Sequence, residues 1–280
     1  MYHTHWEWTL FLAVILLCSS GFTGCVQHTD HSDVFRLAVT TSTRDTGLID
    51  HLIEIFNDEH SARVEVLAVG TGQALQLGVS GDVDLVLVHE RTAEDAFMSS
   101  GHGVRREDIM YNTFEILGPK EDPAGVRNCS PVKAFRNIHS STANFLSRGD
   151  DSGTHKREQS LWTRTGVDPN GDWYIQSGQG MGRTLIMADE MQAYVLTDRG
   201  TYLKFKDKIS LEPLVQSSEE LHNPYSALVV NPDKHANINS KTAHAFVDFL
   251  IAKDTQQIIH DFHLRGEPLF YPLRLEANAN

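Results

Sequence analysis

Nine consecutive residues, Ser147-Arg148-Gly149-Asp150-Asp151-Ser152-Gly153-Thr154-His155, place a guanidinium, hydroxyl side chains and two glycines in one short segment. The pattern reads as a strand end running into a helix start. The first N–H groups of a helix lack partners inside it and carry a partial positive charge. Small residues there let an anion reach the backbone. Arg148 adds a planar cationic fork. The chemistry available to this segment is therefore the gripping of a small oxyanion by Arg148, Ser152, Gly153 and Thr154. Asp150 is expected either to hydrogen-bond Arg148 or to cap the helix, since a carboxylate against the anion would repel it.

A second hydroxyl cluster, Thr40-Thr41-Ser42-Thr43, follows the apolar alternation of Phe35, Leu37 and Val39. Leu48, Leu52 and Phe56, with Ile49 and Ile53, then recur at helical spacing. Asp45 or Thr46 is the natural N-cap of that helix. One cap needs one hydroxyl and four stand in a row, so Thr40–Thr43 are read as donors to a ligand as well as a cap. Gly70-Thr71-Gly72 and Gly178-Gln179-Gly180-Met181-Gly182 also precede helices, as tight turns or as parts of a cleft wall. Thr71, Gly180 and Met181 are further candidates. Arg44 either adds charge to the site or faces solvent, and the directions of Asp45 and Asp151 are open.

Other chemistries have weaker support. Ser152 and His155 stand at i and i+3 on a helix start, where Ser already serves as a cap. A phosphoester hydrolase built on them stays an alternative, without a Gly-x-Ser-x-Gly elbow, a His-Glu-x-x-His or a P-loop. His28 and His31 are two imidazoles in a polar stretch and read as solvated rather than as metal ligands. Cys129 is expected to pack as a small hydrophobe outside any disulfide.

Strands alternating with helices predict an α/β fold. Expected strands cover 64–68, 84–89, 111–119, 143–146, 173–175, 193–198, 211–216 and 223–230. Helices are expected between them, including 199–205 and one from the Ser147–His155 turn to Thr165, stopped by Gly166. The polar run Lys120-Glu121-Asp122-Pro123 reads as a crossing into a second domain, and 211–216 as the return. The expected division is 34–119 plus 217–280 for one domain and 120–216 for the other.

Leu10–Cys18 is an apolar run too short to span a membrane, which takes about 20 residues. With Ser19, Ser20, Gly21, Thr23 and Gly24 before Cys25, residues 1–25 have the layout of a secretory signal. Thr23-Gly24-Cys25 resembles a lipobox end, with Phe22 where an aliphatic residue is usual and no Lys or Arg before Arg36. Lipidation at Cys25, plain secretion and an uncleaved anchor are the readings, with 26–33 as a tether. The net charge of −13 argues against nucleic acid, which is met by basic patches. It leaves room for a small anion inside a cleft, because surface charge is screened within roughly 10 Å.

The segments LAVTTSTRDTGL, VGTGQAL, DVDLVLVH, YNTFEILGP, FLSRGDDSGTH, GQGMGRTL, AYVLTDRGTY and NPYSALVV together resemble the TupA family, the tungstate-binding components of bacterial ABC importers. The likeness runs from about residue 34 to 270. It implies a type II-like periplasmic binding protein: two α/β domains with mixed sheets and one tetrahedral oxyanion in the interdomain cleft. The implied cargo is tungstate, with molybdate a second candidate, no cofactor is implied, and the implied partners are the permease subunits of a transporter, met by a monomer outside the cytoplasm. The family's Thr-Thr-Thr-Ser signature falls on Val39-Thr40-Thr41-Ser42, so its first Thr is replaced by Val39. The family's binding Arg falls on Arg148. The Arg-x-Asp-x-Ser-Gly-Thr turn also resembles phosphate-binding proteins, so phosphate or another oxyanion stays open, as does a lipid-anchored sensor domain.

Overall fold

The computed structural model describes residues 34–60, 62–215 and 217–275. Cys25, His28, His31 and the end of the expected strand at Gln216 lie outside the described residues.

Strand β1 (Val34–Thr40) leads into a single helical turn, α1 (Thr41–Arg44), and then α2 (Leu48–His60). Two more strand–helix units follow: β2 (Arg63–Val69) with α3 (Thr71–Ser80), and β3 (Leu85–Val88) with α4 (Arg91–Ser99). Leu37, Ala38, Val39 and all of β3 are buried, as strands covered by helices on both faces must be. The long strand β4 (Gly103–Gly118) comes next. Beyond it lie α5 (Pro131–Ser141), β5 (Phe145–Ser147), α6 (Gly153–Thr165) and β6 (Tyr174–Gln176). Then come α7 (Met181–Met191), β7 (Val195–Asp198), α8 (Arg199–Phe205) and β8 (Glu212–Pro213). The chain returns along β9 (His222–Val230), packs α9 (Ser240–Ile251) and α10 (Lys253–Asp261), and ends in the short strands β10 (His263–Leu264), β11 (Glu267–Pro268) and β12 (Tyr271–Pro272).

The main sheet has the order β12-β4-β9-β3-β1-β2. β1 is parallel to β2 and β3, whereas β9 runs antiparallel to β3 and β4, so the sheet is mixed. Leu48, Leu52 and Phe56 of α2 share one core with Phe246 and Leu250 of α9 and Ile259 of α10. Ala74, Leu75 and Phe97 of α3 and α4 cover other residues of the same strands.

β4 joins this assembly to the rest. Gly103–Thr113 pair with β9, while Phe114–Gly118 pair with β7 and β8. Around that second stretch Phe135, Phe145, Trp162 and Tyr194 form one apolar cluster, and Leu146, Leu185 and Val195 another. β5 and β6 pair in parallel register.

The α/β expectation agrees with these elements, and α8 spans its expected residues. Several strand ends move by one or two residues, and three larger differences have a reason. β4 starts at Gly103, not near 111, because its charged half is neutralised in place: Arg105 bonds Glu107 and Asp248, Arg106 pairs with Asp95, and Arg274 with Glu107. The strand expected at 211–216 is ladder-paired only at Glu212–Pro213. Thr41–Arg44, expected as a hydroxyl-rich turn, form a helical turn capped by Thr40. Thr46, expected with Asp45 as a cap of α2, accepts from Leu48 N at the start of that helix at 3.3 Å.

Candidate functional site

The carboxyl ends of β1 and β2, the β3–α4 turn and the starts of α6, α7 and α8 surround a cavity of about 570 Å³. A crevice beyond the carboxyl ends of strands is where α/β sheets bind ligands. Thr40, Thr41, Ser42, Thr71, Arg148, Ser152, Gly153, Thr154 and Met181 all line it. Sequence segments about a hundred residues apart therefore meet as opposite walls.

On one wall Thr40 Oγ1 accepts from Thr43 N at 3.4 Å and lies 3.3 Å from Ser42 Oγ. Thr41 and Ser42 stay exposed to the cavity. Thr43 is fully buried, hydrogen-bonds Thr40 Oγ1 through its hydroxyl, and is not in the lining. It fixes the Thr40 rotamer from behind.

The opposite wall is held from below. Ser147, fully buried, donates to Glu158 Oε2 at 2.8 Å. Glu158 also accepts from Tyr174 Oη at 2.7 Å and Trp162 Nε1 at 3.3 Å. Burial pushes its carboxyl above the usual range, opposed by those donors. Ser177 and Gly178 bond the Ser147 and Arg148 carbonyls, so the strand end cannot drift. The chain then turns through positive φ at Gly149 and Asp151. A side chain at Gly149 would strike Gln176 Cβ at 2.9 Å, so Gly is required there.

Asp150 meets Arg148 as an ion pair and braces the turn, while the cap of α6 is Ser152. Asp150 Oδ2 lies 2.7 Å from Arg148 Nε, and Asp150 Oδ1 accepts from Ser152 N at 3.1 Å. Ser152 Oγ caps α6 by accepting from His155 N at 3.3 Å. The N–H groups of Gly153 and Thr154, first and second in the helix, lie ahead of the intrahelical ladder. Asp151 lines the cavity, but its carboxylate is 89% exposed. Arg44 turns away, toward Asp50 at 3.5 Å and the Val66 carbonyl, and is absent from the lining. Asp45 lines the cavity and gives its carbonyl to Lys204 Nζ at 2.8 Å. Gly180 caps α7 through its backbone, outside the lining, while Met181 is in it.

The helix starts around the cavity differ in charge. Those of α1, α3, α6 and α7 are capped by Thr40, Gly70, Ser152 and Gly180, all neutral. Those of α4 and α8 are capped by carboxylates: Glu90 accepts from Ala93 N at 2.8 Å, and Asp198 from Thr201 N at 2.8 Å. The carboxylate caps add negative charge at the helix starts where an anion would sit, whereas Thr40 and Ser152, which also take up one donor each, and Gly70 and Gly180 add none. With Arg148 beside α6, the arrangement can hold a multiply accepting anion between Thr40–Ser42 and Ser152–Thr154.

Several wall residues were not singled out by sequence reasoning. His89 sits just past β3, its Nδ1 3.0 Å from Asn223 Oδ1 and its ring 4.7 Å from that of Tyr225. Asn223 and Tyr225 are 134 and 136 residues further on and arrive through β9 pairing with β3 and β4. Burial lowers the His89 pKa, against the Asn223 hydrogen bond and the field of Asp198. A titratable residue at the carboxyl end of a buried strand was the available signal. Lys204, Asp198 and Asn223 became visible only in the fold.

A model of the PBP superfamily domain matches residues 27–254. The chain is 42% identical over 275 residues to the tungstate-binding protein TupA of Peptoclostridium acidaminophilum, covering 93% of this chain and 96% of that protein. The solved structure of the tungstate binding protein TupA from Desulfovibrio alaskensis G20 superposes with a TM-score of 0.83 at 42% identity, covering 86% of this chain and 99% of that one. A tungstate ABC transporter structure from Geobacter sulfurreducens gives 0.74 at 46% identity, over 82% and 99%. Fold and site thus define a binding protein of the PBP superfamily type. The chain belongs to that superfamily and, within it, to the TupA family.

Proposed function

We propose that this chain captures tungstate, or the similar molybdate, in the cavity between the Thr40–Ser42 and Ser152–Thr154 walls and delivers it to the permease subunits of an ABC importer. It is a carrier that does no covalent chemistry. The observation that carries the reading is the convergence of four neutral-capped helix starts and Arg148 on one cavity. A fully ionised dianion has only acceptors to offer, and these walls supply hydroxyl, amide and guanidinium donors. At roughly 30 Å³ per water-sized group, a four-oxygen anion fills a small part of about 570 Å³. Approach of the walls on binding would exclude the remaining water, as in hinge closure around a ligand. In this reading 34–119 with 217–280 and 120–216 are the moving domains. The protein works outside the cytoplasm as a monomer, tethered through a lipidated Cys25.

Titration calorimetry of the ligand-stripped protein with tungstate, molybdate, sulfate and phosphate in one buffer tests this. Tungstate and molybdate are expected to bind at least a hundredfold tighter than the other two. A preference for phosphate or sulfate overturns the cargo.

A further inference from the structure

The placement of the Asn223 amide assigns the His89 tautomer. Asn223 Nδ2 donates to Asn112 Oδ1 at 2.9 Å and faces Tyr225 Oη at 3.3 Å, while Asn112 Nδ2 donates to the same hydroxyl at 3.1 Å. This amide network leaves Asn223 Oδ1 as the acceptor toward His89, so Nδ1 carries the hydrogen. Nε2 of the neutral ring is then a bare lone pair. It has no protein partner among the described residues and is not one of the buried unpartnered atoms. The solvent it meets is that of the cavity His89 lines. The ring stands against the start of α6: a Cβ built on Gly153 would lie 3.4 Å from His89 Cε1.

A lone pair facing an oxyanion is repulsive, and a protonated ring in the same place is a charge-assisted donor. Resting on the function proposed above, we propose that His89 is a ligand residue: Nε2 takes one proton from solvent as the oxyanion enters and donates it as a hydrogen bond to an anion oxygen. The Nδ1–H bond to Asn223 persists, and the proton returns to solvent on release.

The surroundings suit this change. From the α4 side the nearest charge is Glu90; from the β7–α8 junction it is Asp198; both favour the imidazolium. From β9 come the neutral Asn223 and Tyr225, and from α6 the Gly153 and Thr154 amides, with Lys156 and Arg148 elsewhere on the cavity wall. Without ligand, burial holds the ring toward its neutral form, below the usual value of 6.5. A dianion among these donors supplies the missing countercharge.

The test is calorimetric titration with sodium tungstate between about pH 6.5 and 8.5, around the ordinary His pKa, in pairs of buffers that differ in ionisation enthalpy. Binding is expected to take up about one proton, and affinity to weaken by up to about tenfold per pH unit. His89→Gln, whose amide offers a permanent donor near Nε2, is expected to bind without proton uptake or pH slope. His89→Asn, which keeps only the Nδ1-like donor, is expected to bind more weakly than wild type at the acid end. Tungstate binding by the wild type with no proton uptake overturns the role of His89 and leaves the proposed function intact. Uptake that persists in His89→Gln likewise overturns it. Absence of tungstate binding by the wild type overturns both readings. The wild-type proton count decides the question even where a variant fails to fold.

Discussion

Gly153→Ala separates binding from folding. Gly153 is the first residue of α6 and does not adopt positive φ. An added Cβ would meet His89 Cε1 at 3.4 Å and Nδ1 at 3.8 Å, ordinary van der Waals contact. Ala also restricts the unfolded chain, a gain of about 0.4–1 kcal/mol where the backbone is compatible. The variant should therefore melt no lower than wild type and up to ~3 °C higher, taking about 2–4 °C per kcal/mol for a chain of this size. The methyl nevertheless occupies the gap between the α6 amides and His89. Displacing an anion oxygen there forfeits one charge-assisted hydrogen bond, about 1.5–3 kcal/mol, or roughly ten- to hundredfold in Kd. Calorimetry with tungstate and a thermal melt on the same sample measure both quantities. Affinity within about twofold of wild type, with the melting temperature held or raised, would refute placing the anion at the start of α6.

Arg148→Ala should lower tungstate affinity at least ~10-fold through loss of a charged donor while the fold persists, since the turn backbone is held by Ser177 and Gly178; unchanged affinity by calorimetry removes Arg148 from the site. Glu158→Leu should cost about 2–4 kcal/mol by leaving the Ser147, Tyr174 and Trp162 donors unpaired; a melting temperature equal to wild type contradicts the support assigned to this carboxylate. Asp122 lies at φ 48°, which Asn tolerates, and accepts from Val126 N, Arg127 N and Tyr194 Oη. Burial opposes its ionisation, but those donors hold its pKa below the usual 3.8. Its folded pKa is depressed, so its contribution is present above about pH 3.8 and lost as pH falls below it. Asp122→Asn should thus cost ~1 kcal/mol at neutral pH and less with increasing acidity, read by urea denaturation; a gap that does not change with pH refutes the charge-based account.

The strand–helix alternation was legible because β1 alternates Phe35, Leu37 and Val39, β3 is a continuous apolar run and α2 carries a strong helical stripe. α6 was legible at both ends, with Ser152 as its cap and Gly166 in the left-handed conformation that stops it. Both walls were legible because hydroxyls and glycines concentrate where helices begin. The first half of β4 was not: Arg105, Arg106, Glu107 and Asp108 carry no apolar strand pattern, and the partners that neutralise them come from α4, α9 and the C-terminal segment. The inward turn of Thr43 was equally hidden, since four adjacent hydroxyls look alike until α1 forms and assigns one of them to the core. His89 and Asn223 belong to one network only through antiparallel pairing across more than a hundred residues, and no local pattern encodes that pairing.

The sorting of caps has an evolutionary consequence. The residues that decide whether a helix start welcomes or rejects negative charge, among them Gly70, Ser152, Glu90 and Asp198, sit at loop–helix junctions rather than in the apolar clusters. An exchange between a carboxylate and a small neutral side chain at such a position alters the charge a cargo must bring and leaves the packing beneath untouched. A scaffold built this way can change its clientele through a few junction positions while the core that folds it is conserved.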